Sequence, residues 1–169
     1  GTATRTTINY EHTEQDDVPD GGIPTVGLDG SVQKADTSAF YGSDDDFEEA
    51  KSDTFTIKFE QNISDNTIFK NTARYAKTSQ EMLLTSPFNF STTANTVTRS
   101  MHARWQENEI LTNQSNFTTE IQTGMLLHKI STGIELTKEN QLTKNYTAQT
   151  AQTSNLYNPT NISWDDLTF

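Results

Sequence analysis

The sequence predicts an all-β protein, an antiparallel meander, and three observations carry that reading. Between Asp53 and Glu60, the residues Phe55, Ile57 and Phe59 alternate with Thr54, Thr56, Lys58 and Glu60, the period of two of a strand whose faces meet different surroundings. Nowhere in the 169 residues does an apolar pattern with helical period persist. Thr, Asn, Ser, Gln and Asp dominate, as they do in β-proteins with long polar loops.

Taken in order, Thr2 to Glu11 is the first strand, with Thr4, Thr6, Ile8 and Tyr10 on one face and Arg5, Thr7, Asn9 and Glu11 on the other. Residues 12–52 follow as a long connection rich in Gly, Pro and Asp. Asp53 to Ala76 is a hairpin: Ile63-Ser-Asp-Asn-Thr67 supplies turn-tolerant residues, after which Phe69, Ala73 and Tyr75 alternate with Lys70, Thr72 and Arg74. Lys77 to Asn108 reads as a second long connection, part of which continues the strands. Glu109 to Ile121 and Met125 to Glu139 are two further strands joined at Gln122-Thr-Gly124, and residues 140–169 are again long and polar. Long and short connections alternate, an order found in outer-membrane barrels.

Composition excludes several classes of function. A net charge of −11 speaks against nucleic acid as a partner, because neutralising phosphates requires clustered Lys and Arg. With no cysteine, the chain has neither disulfides nor thiolate metal ligands. The sequence shows no signal peptide and no apolar run of about 18 residues, so no transmembrane helix is expected, which leaves a β-barrel open. A hydrophobic share of 31% is thin for a self-sufficient globule. No Ser, His and Asp arrangement stands out as catalytic, so the chain reads as a non-enzyme with no cofactor.

From about Glu14 to Pro159 the residues resemble a known family. The segments QDDVPDGGIPTVGL, FYGSDDDFEEAKSDTFTIKFEQNISDNTIFKNTARYAK, ILTNQSNFTTE, HKISTGIELTKE and NLYNP, in this order, are similar to the TonB-dependent outer-membrane receptors, and within them to the Fiu-like catecholate siderophore receptors. The resemblance implies a 22-stranded transmembrane β-barrel with long extracellular loops in the Gram-negative outer membrane. Such a barrel, plugged by an N-terminal domain, imports a ferric catecholate siderophore with energy passed from TonB through the plug. Residues 1–169 would then form one partial barrel domain, an interior segment with the plug and the remaining strands lying elsewhere. Outer-membrane lipid would be its other partner.

Two groups of residues are candidates for contact with such a ligand. Arg99, Arg104 and Trp105, with His102 between them, combine guanidinium and aromatic groups suited to flat anions. Phe40 and Tyr41, beside Gly42, can present rings from a loop, or can pack that loop against its neighbour. Asp44, Asp45 and Asp46 with Glu48 and Glu49 offer oxygens to Ca²⁺, but the EF-hand spacing is missing, so no metal is expected and a solvated acidic loop is the plainer reading. The alternative function for the whole chain is a soluble all-β binding or adhesion module. That alternative requires the apolar residues Phe55, Ile57, Phe59, Phe69 and Tyr75 to meet a second apolar layer; the receptor reading turns them to lipid.

Overall fold

A computed structural model describes residues 3–26, 30, 33–164, 167 and 168, and among them the chain is all-β with antiparallel strands. The strands are β1 (Thr4–Asp17), β2 (Phe47–Ser64), β3 (Thr67–Ser91), β4 (Thr96–Thr123), β5 (Leu126–Asn145) and β6 (Gln152–Asn155). They form one sheet in the order β1-β2-β3-β4-β5, with β6 pairing antiparallel with the start of β4, so that Val97 faces Ser154 and Arg99 faces Gln152. The predicted meander is present. Thr2, where the first strand was expected to begin, lies outside the described residues.

The expected second long connection is a correction. β3 runs on to Ser91 and β4 begins at Thr96, so Lys77 to Asn108 is almost wholly strand, turning at Thr92–Asn95. Asn95 takes a φ of 53°, a left-handed conformation that asparagine tolerates better than most residues. The alternation expected of a strand is missing here because residues such as Leu83, Thr85, Val97 and Arg99 are buried beneath loops, polar and apolar alike. β1 and β2 are likewise longer than expected, running to Asp17 and starting at Phe47.

The chain divides into two compact units. The first comprises residues 1–13, 51–79 and 107–142. Cross-strand contacts fix which side chains share each of its faces. On one face the Lys70 ammonium sits 2.9 Å from the Glu60 carboxylate, and Lys129 lies 2.6 Å from Glu120. On the other, the rings of Phe59 and Phe69 meet with centroids 6.5 Å apart, and the Tyr10 hydroxyl donates to Asp53 at 2.6 Å. The same face of β3 and β4 is fixed by Asn71 donating to Ser115 at 2.8 Å and by Tyr75 donating to Glu109 at 3.1 Å.

The sequence-derived faces therefore hold: Phe55, Ile57, Phe59, Phe69 and Tyr75 lie together, opposite Lys58, Glu60, Lys70 and Arg74. β5 adds Ile130, Ile134 and Leu136 to the apolar side. Ile134 and Leu136 are 62% and 64% exposed, and no described element covers them. A soluble sandwich would bury that face against a second sheet.

The second unit comprises residues 14–50, 80–106 and 143–169. Its core gathers Val26, Ala35, Tyr41, Val97 and Leu156, all buried, with Ala39 and Tyr157 packed against them.

Candidate functional site

The second unit holds every candidate ligand-contact residue, and its loops are organised around Arg99. This residue points from β4 into the interior with no exposed surface. Nη1 donates to the carbonyls of Tyr41 and Gly42 at 3.4 and 3.1 Å, and Nη2 donates to the carbonyl of Thr160 at 2.7 Å. Only a guanidinium presents enough forked donors to serve two loops at once. Arg99 thus joins the 40–46 loop to the segment after β6.

That joint continues through polar contacts. The Tyr41 hydroxyl donates to the carbonyl of Leu156 at 2.5 Å, and burial, with the charge of Asp36 nearby, raises the pKa of its phenol. Ser43 Oγ donates to the carbonyl of Ile162 at 2.8 Å. Asp45 accepts the Trp164 backbone N–H at 2.7 Å, and Asp44 accepts from Asn161 at 3.1 Å. Asp46 is only 4% exposed and accepts from Thr85 Oγ1 at 2.6 Å and from the Ser43 N–H at 3.0 Å. The acidic run is therefore no purely solvated loop: two of its three aspartates hold the 161–164 segment and the third is buried. Among the described residues no cluster of His, Asp and Glu could hold a metal ion.

The basic-aromatic group is divided by strand alternation. Arg99 and Trp105 lie on one face of β4, His102 and Arg104 on the other. Trp105 is partly buried, and the Lys144 ammonium lies over its ring, 5.1 Å from the centroid. This cation–π contact holds β4 to β5. His102 and Arg104 are exposed and line an open cavity of about 520 Å³ with Met82, Met101, Asn145 and Tyr146. Its volume falls within the range of small-molecule sites. Beside it, Tyr146 donates to Glu81, and burial, followed by this bond, pushes its phenol up to about 12.

Phe40 and Tyr41 are divided too. Tyr41 is interior, whereas Phe40 is 42% exposed. The Phe40 ring lies so close over Gly42 that a Cβ built there would come 2.1 Å from its Cζ and 2.7 Å from Asp46 Oδ2. Gly21 plays a related part, its Cα lying against the Thr85 carbonyl and Ser86, where a Cβ would come 2.1 Å from that oxygen. The sequence marked Gly42 only as a neighbour of the aromatic pair and did not mark Gly21, because no residue pattern signals a close approach made in three dimensions.

In this arrangement Arg104, His102 and Phe40 are presented at the surface, on scaffolding held by Arg99, Tyr41 and Asp46. The guanidinium and imidazole of Arg104 and His102 line the cavity and can bind an anionic, oxygen-rich molecule, whereas Phe40 is not among the residues that line it.

No protein-family model matches the chain. It is similar to the catecholate siderophore receptor Fiu of Escherichia coli K12, with 36% identity over 180 residues, covering 94% of this chain and 24% of Fiu. The probable TonB-dependent siderophore receptor PiuA of Acinetobacter baumannii is 32% identical over 148 residues, covering 82% of this chain and 20% of that receptor. The crystal structure of the ferric-catecholate import receptor Fiu in its closed form superposes with a TM-score of 0.85 at 35% identity, over 98% of this chain and 26% of that one. PiuA superposes with a TM-score of 0.79 at 24% identity, over 98% and 28%, a likeness of fold. The chain spans about a quarter of the length of the relatives it matches.

Proposed function

The chain belongs to the family of TonB-dependent catecholate siderophore receptors represented by Fiu, and we propose that it forms one sector of an outer-membrane receptor that imports ferric catecholate complexes. The observation that carries this reading is the exposed apolar face of the first unit, which coincides with a match to Fiu in both sequence and fold over nearly the whole chain. Each of the long strands exceeds the roughly 9–11 residues that cross a bilayer, β3 having 25 and β4 28. The apolar face meets lipid and the charged face meets the lumen. A wall of five long strands closes only with others, and the reading takes 22 in all, with a plug that receives energy from TonB, contributed by the rest of the receptor.

Within the second unit, the reading assigns ligand contact to Arg104, with His102 beside it in the cavity, and separately to Phe40 on its loop. Arg99 and Tyr41 position the loops that carry these groups. Trp105 contributes through the β4–β5 contact that shapes the cavity wall. Ferric catecholates are anionic and aromatic, which suits a guanidinium and a ring.

The reading is tested by measuring binding of a ferric catecholate to the complete receptor, comparing wild type with Arg104→Ala, Phe40→Ala and Thr98→Ala. A loss of about tenfold or more for the first two, with Thr98→Ala unchanged, supports the assignment. Unchanged affinity in all variants removes these side chains from the site, and absence of binding by the folded wild type overturns the siderophore reading.

A further inference from the structure

The apolar face of the first unit is interrupted by a cluster of amides. Asn71 on β3, with Asn113 and Ser115 on β4, shares that face with Phe69, Tyr75 and Phe117. Asn71 Nδ2 donates to Asn113 Oδ1 at 3.0 Å and to Ser115 Oγ at 2.8 Å, and Asn113 Nδ2 donates back to Asn71 Oδ1 at 3.3 Å. Along β3, Asn71 falls between Phe69 and Tyr75, rings of the kind that border the apolar band of a barrel. The amides therefore stand at the depth of that band.

Their mutual bonds do not use up both amides. A primary amide carries two N–H donors and an oxygen with two lone pairs. Asn71 uses both donors inside the cluster, whereas Asn113 uses one donor and one lone pair on Asn71 and keeps one of each. Asn113 is exposed, and its surroundings are apolar. Exposed Leu111 lies two residues along β4, and the register that sets Thr118 opposite Ser131 and Glu120 opposite Lys129 puts exposed Leu136 across from it on β5. Beside Ser115 opens a groove of about 280 Å³ whose walls include Phe69, Phe117 and Ile134.

We propose that this patch joins two copies of the receptor side by side in the membrane, with Asn113 at the two-fold axis. Acyl chains offer no partner to the spare N–H or the spare lone pair, and a polar group left unmet in hydrocarbon is costly. Lipid head groups could meet both, but they lie at the borders of the band and not at this depth. Asn113 of a second copy supplies the missing donor and the missing acceptor together, because a two-fold axis sets a group with one of each against itself. Two N–H···O bonds result, of the kind by which polar side chains hold neighbouring spans together in a membrane. Leu111, Ile134 and Leu136 surround them, and the groove takes up an apolar side chain of the other copy. The inference rests on the barrel reading, which turns this face to the bilayer, but not on the identity of the siderophore.

The test is energy transfer between donor-labelled and acceptor-labelled complete receptor in phosphatidylcholine vesicles, followed as lipid dilutes the protein. Wild type should keep its transfer well beyond the dilution at which chance encounters vanish. Asn113→Leu should weaken association about tenfold or more, the loss expected for bonds of this kind. Leu136→Trp leaves the amides in place, suits lipid and obstructs the approach, so it should weaken association likewise; it serves if Asn113→Leu fails to assemble. Thr6→Leu, a polar-to-apolar change on the same face of β1, should match wild type. Transfer unchanged in both patch variants places any contact elsewhere and overturns the proposal. A wild type that inserts and binds ferric catecholate but shows only chance transfer overturns this inference alone. A wild type that does not insert defeats the barrel reading and this inference with it.

Discussion

Trp164 Nε1 donates to Thr85 Oγ1 at 2.8 Å, and Thr85 in turn donates to the buried carboxylate of Asp46 at 2.6 Å. One hydroxyl thus links three parts of the second unit: strand β3, the 40–46 loop and the segment after β6. Thr85→Val keeps the shape and removes the link, leaving the indole N–H and a carboxylate oxygen unsatisfied where water does not reach. The expected cost is about 2–4 kcal/mol, since an orphaned buried group costs about 1–3 kcal/mol and more when charged. Thr85→Ser should lose much less. Thermal unfolding of the receptor followed by tryptophan emission checks both values, and a Thr85→Val variant as stable as wild type would show that the link carries no weight.

How much of this was legible in the sequence depends on which groups the chain turns toward one another. The Asp53–Ala76 hairpin was readable because each of its faces meets a uniform surrounding, so apolar and charged residues alternate cleanly. The stretch from Lys77 to Asn108 was not, because its buried face takes Leu83, Thr85, Val97 and Arg99 without distinction of polarity. The Arg99, His102, Arg104 and Trp105 group shows the same limit. Residue types marked it as a candidate, but only once the stretch is known to be strand does alternation turn Arg99 and Trp105 away from Arg104. The partners of Arg99 are backbone carbonyls of Tyr41, Gly42 and Thr160, groups that carry no side-chain signature and lie far away along the chain.

The two faces of the first unit make opposite predictions for one added charge. Ile57 lies on the apolar face near the middle of its strand, and Thr56 on the charged one. Ile57→Arg should destabilise the complete receptor by about 2–4 kcal/mol in a bilayer, the range for a cation placed at the midplane on the lipid side of a barrel. Thr56→Arg should cost clearly less. Equal losses in reversible unfolding from lipid vesicles would contradict the assigned faces.

Tyr146 gives a pH dependence with a definite sign. Its phenol is pushed up to about 12 in the folded chain, from the ordinary value of 10.0, by burial and by its hydrogen bond to Glu81. The neutral form is the one the fold favours, so the stabilisation is fully present below about pH 10. As pH rises from there toward about 12, the unfolded chain ionises first and the contribution is lost. Tyr146→Phe should flatten stability across that window. The ultraviolet absorbance of phenolate should show one tyrosine fewer titrating late. A wild-type profile as flat as that of Tyr146→Phe would contradict the assigned environment.

Gly42 provides the most discriminating test of how Phe40 is displayed. The added methyl of Gly42→Ala would collide with the far edge of the Phe40 ring at 2.1 Å and with Asp46 Oδ2 at 2.7 Å. The ring is on the surface and can swing away cheaply, whereas Asp46 is buried and held by Thr85 and Ser43, so the ring is the part that yields. Overpacking of this kind costs about 1–3 kcal/mol, and relief by an exposed side chain places it at the lower end. If Phe40 contacts the ligand, Gly42→Ala should weaken ferric catecholate binding about as much as Phe40→Ala does. In the double variant the two losses should not add, because the substitution acts through the ring. Additive losses would mean that Gly42 matters to the loop independently of Phe40. Unchanged binding in Gly42→Ala, with the ring displaced, would take Phe40 out of the site.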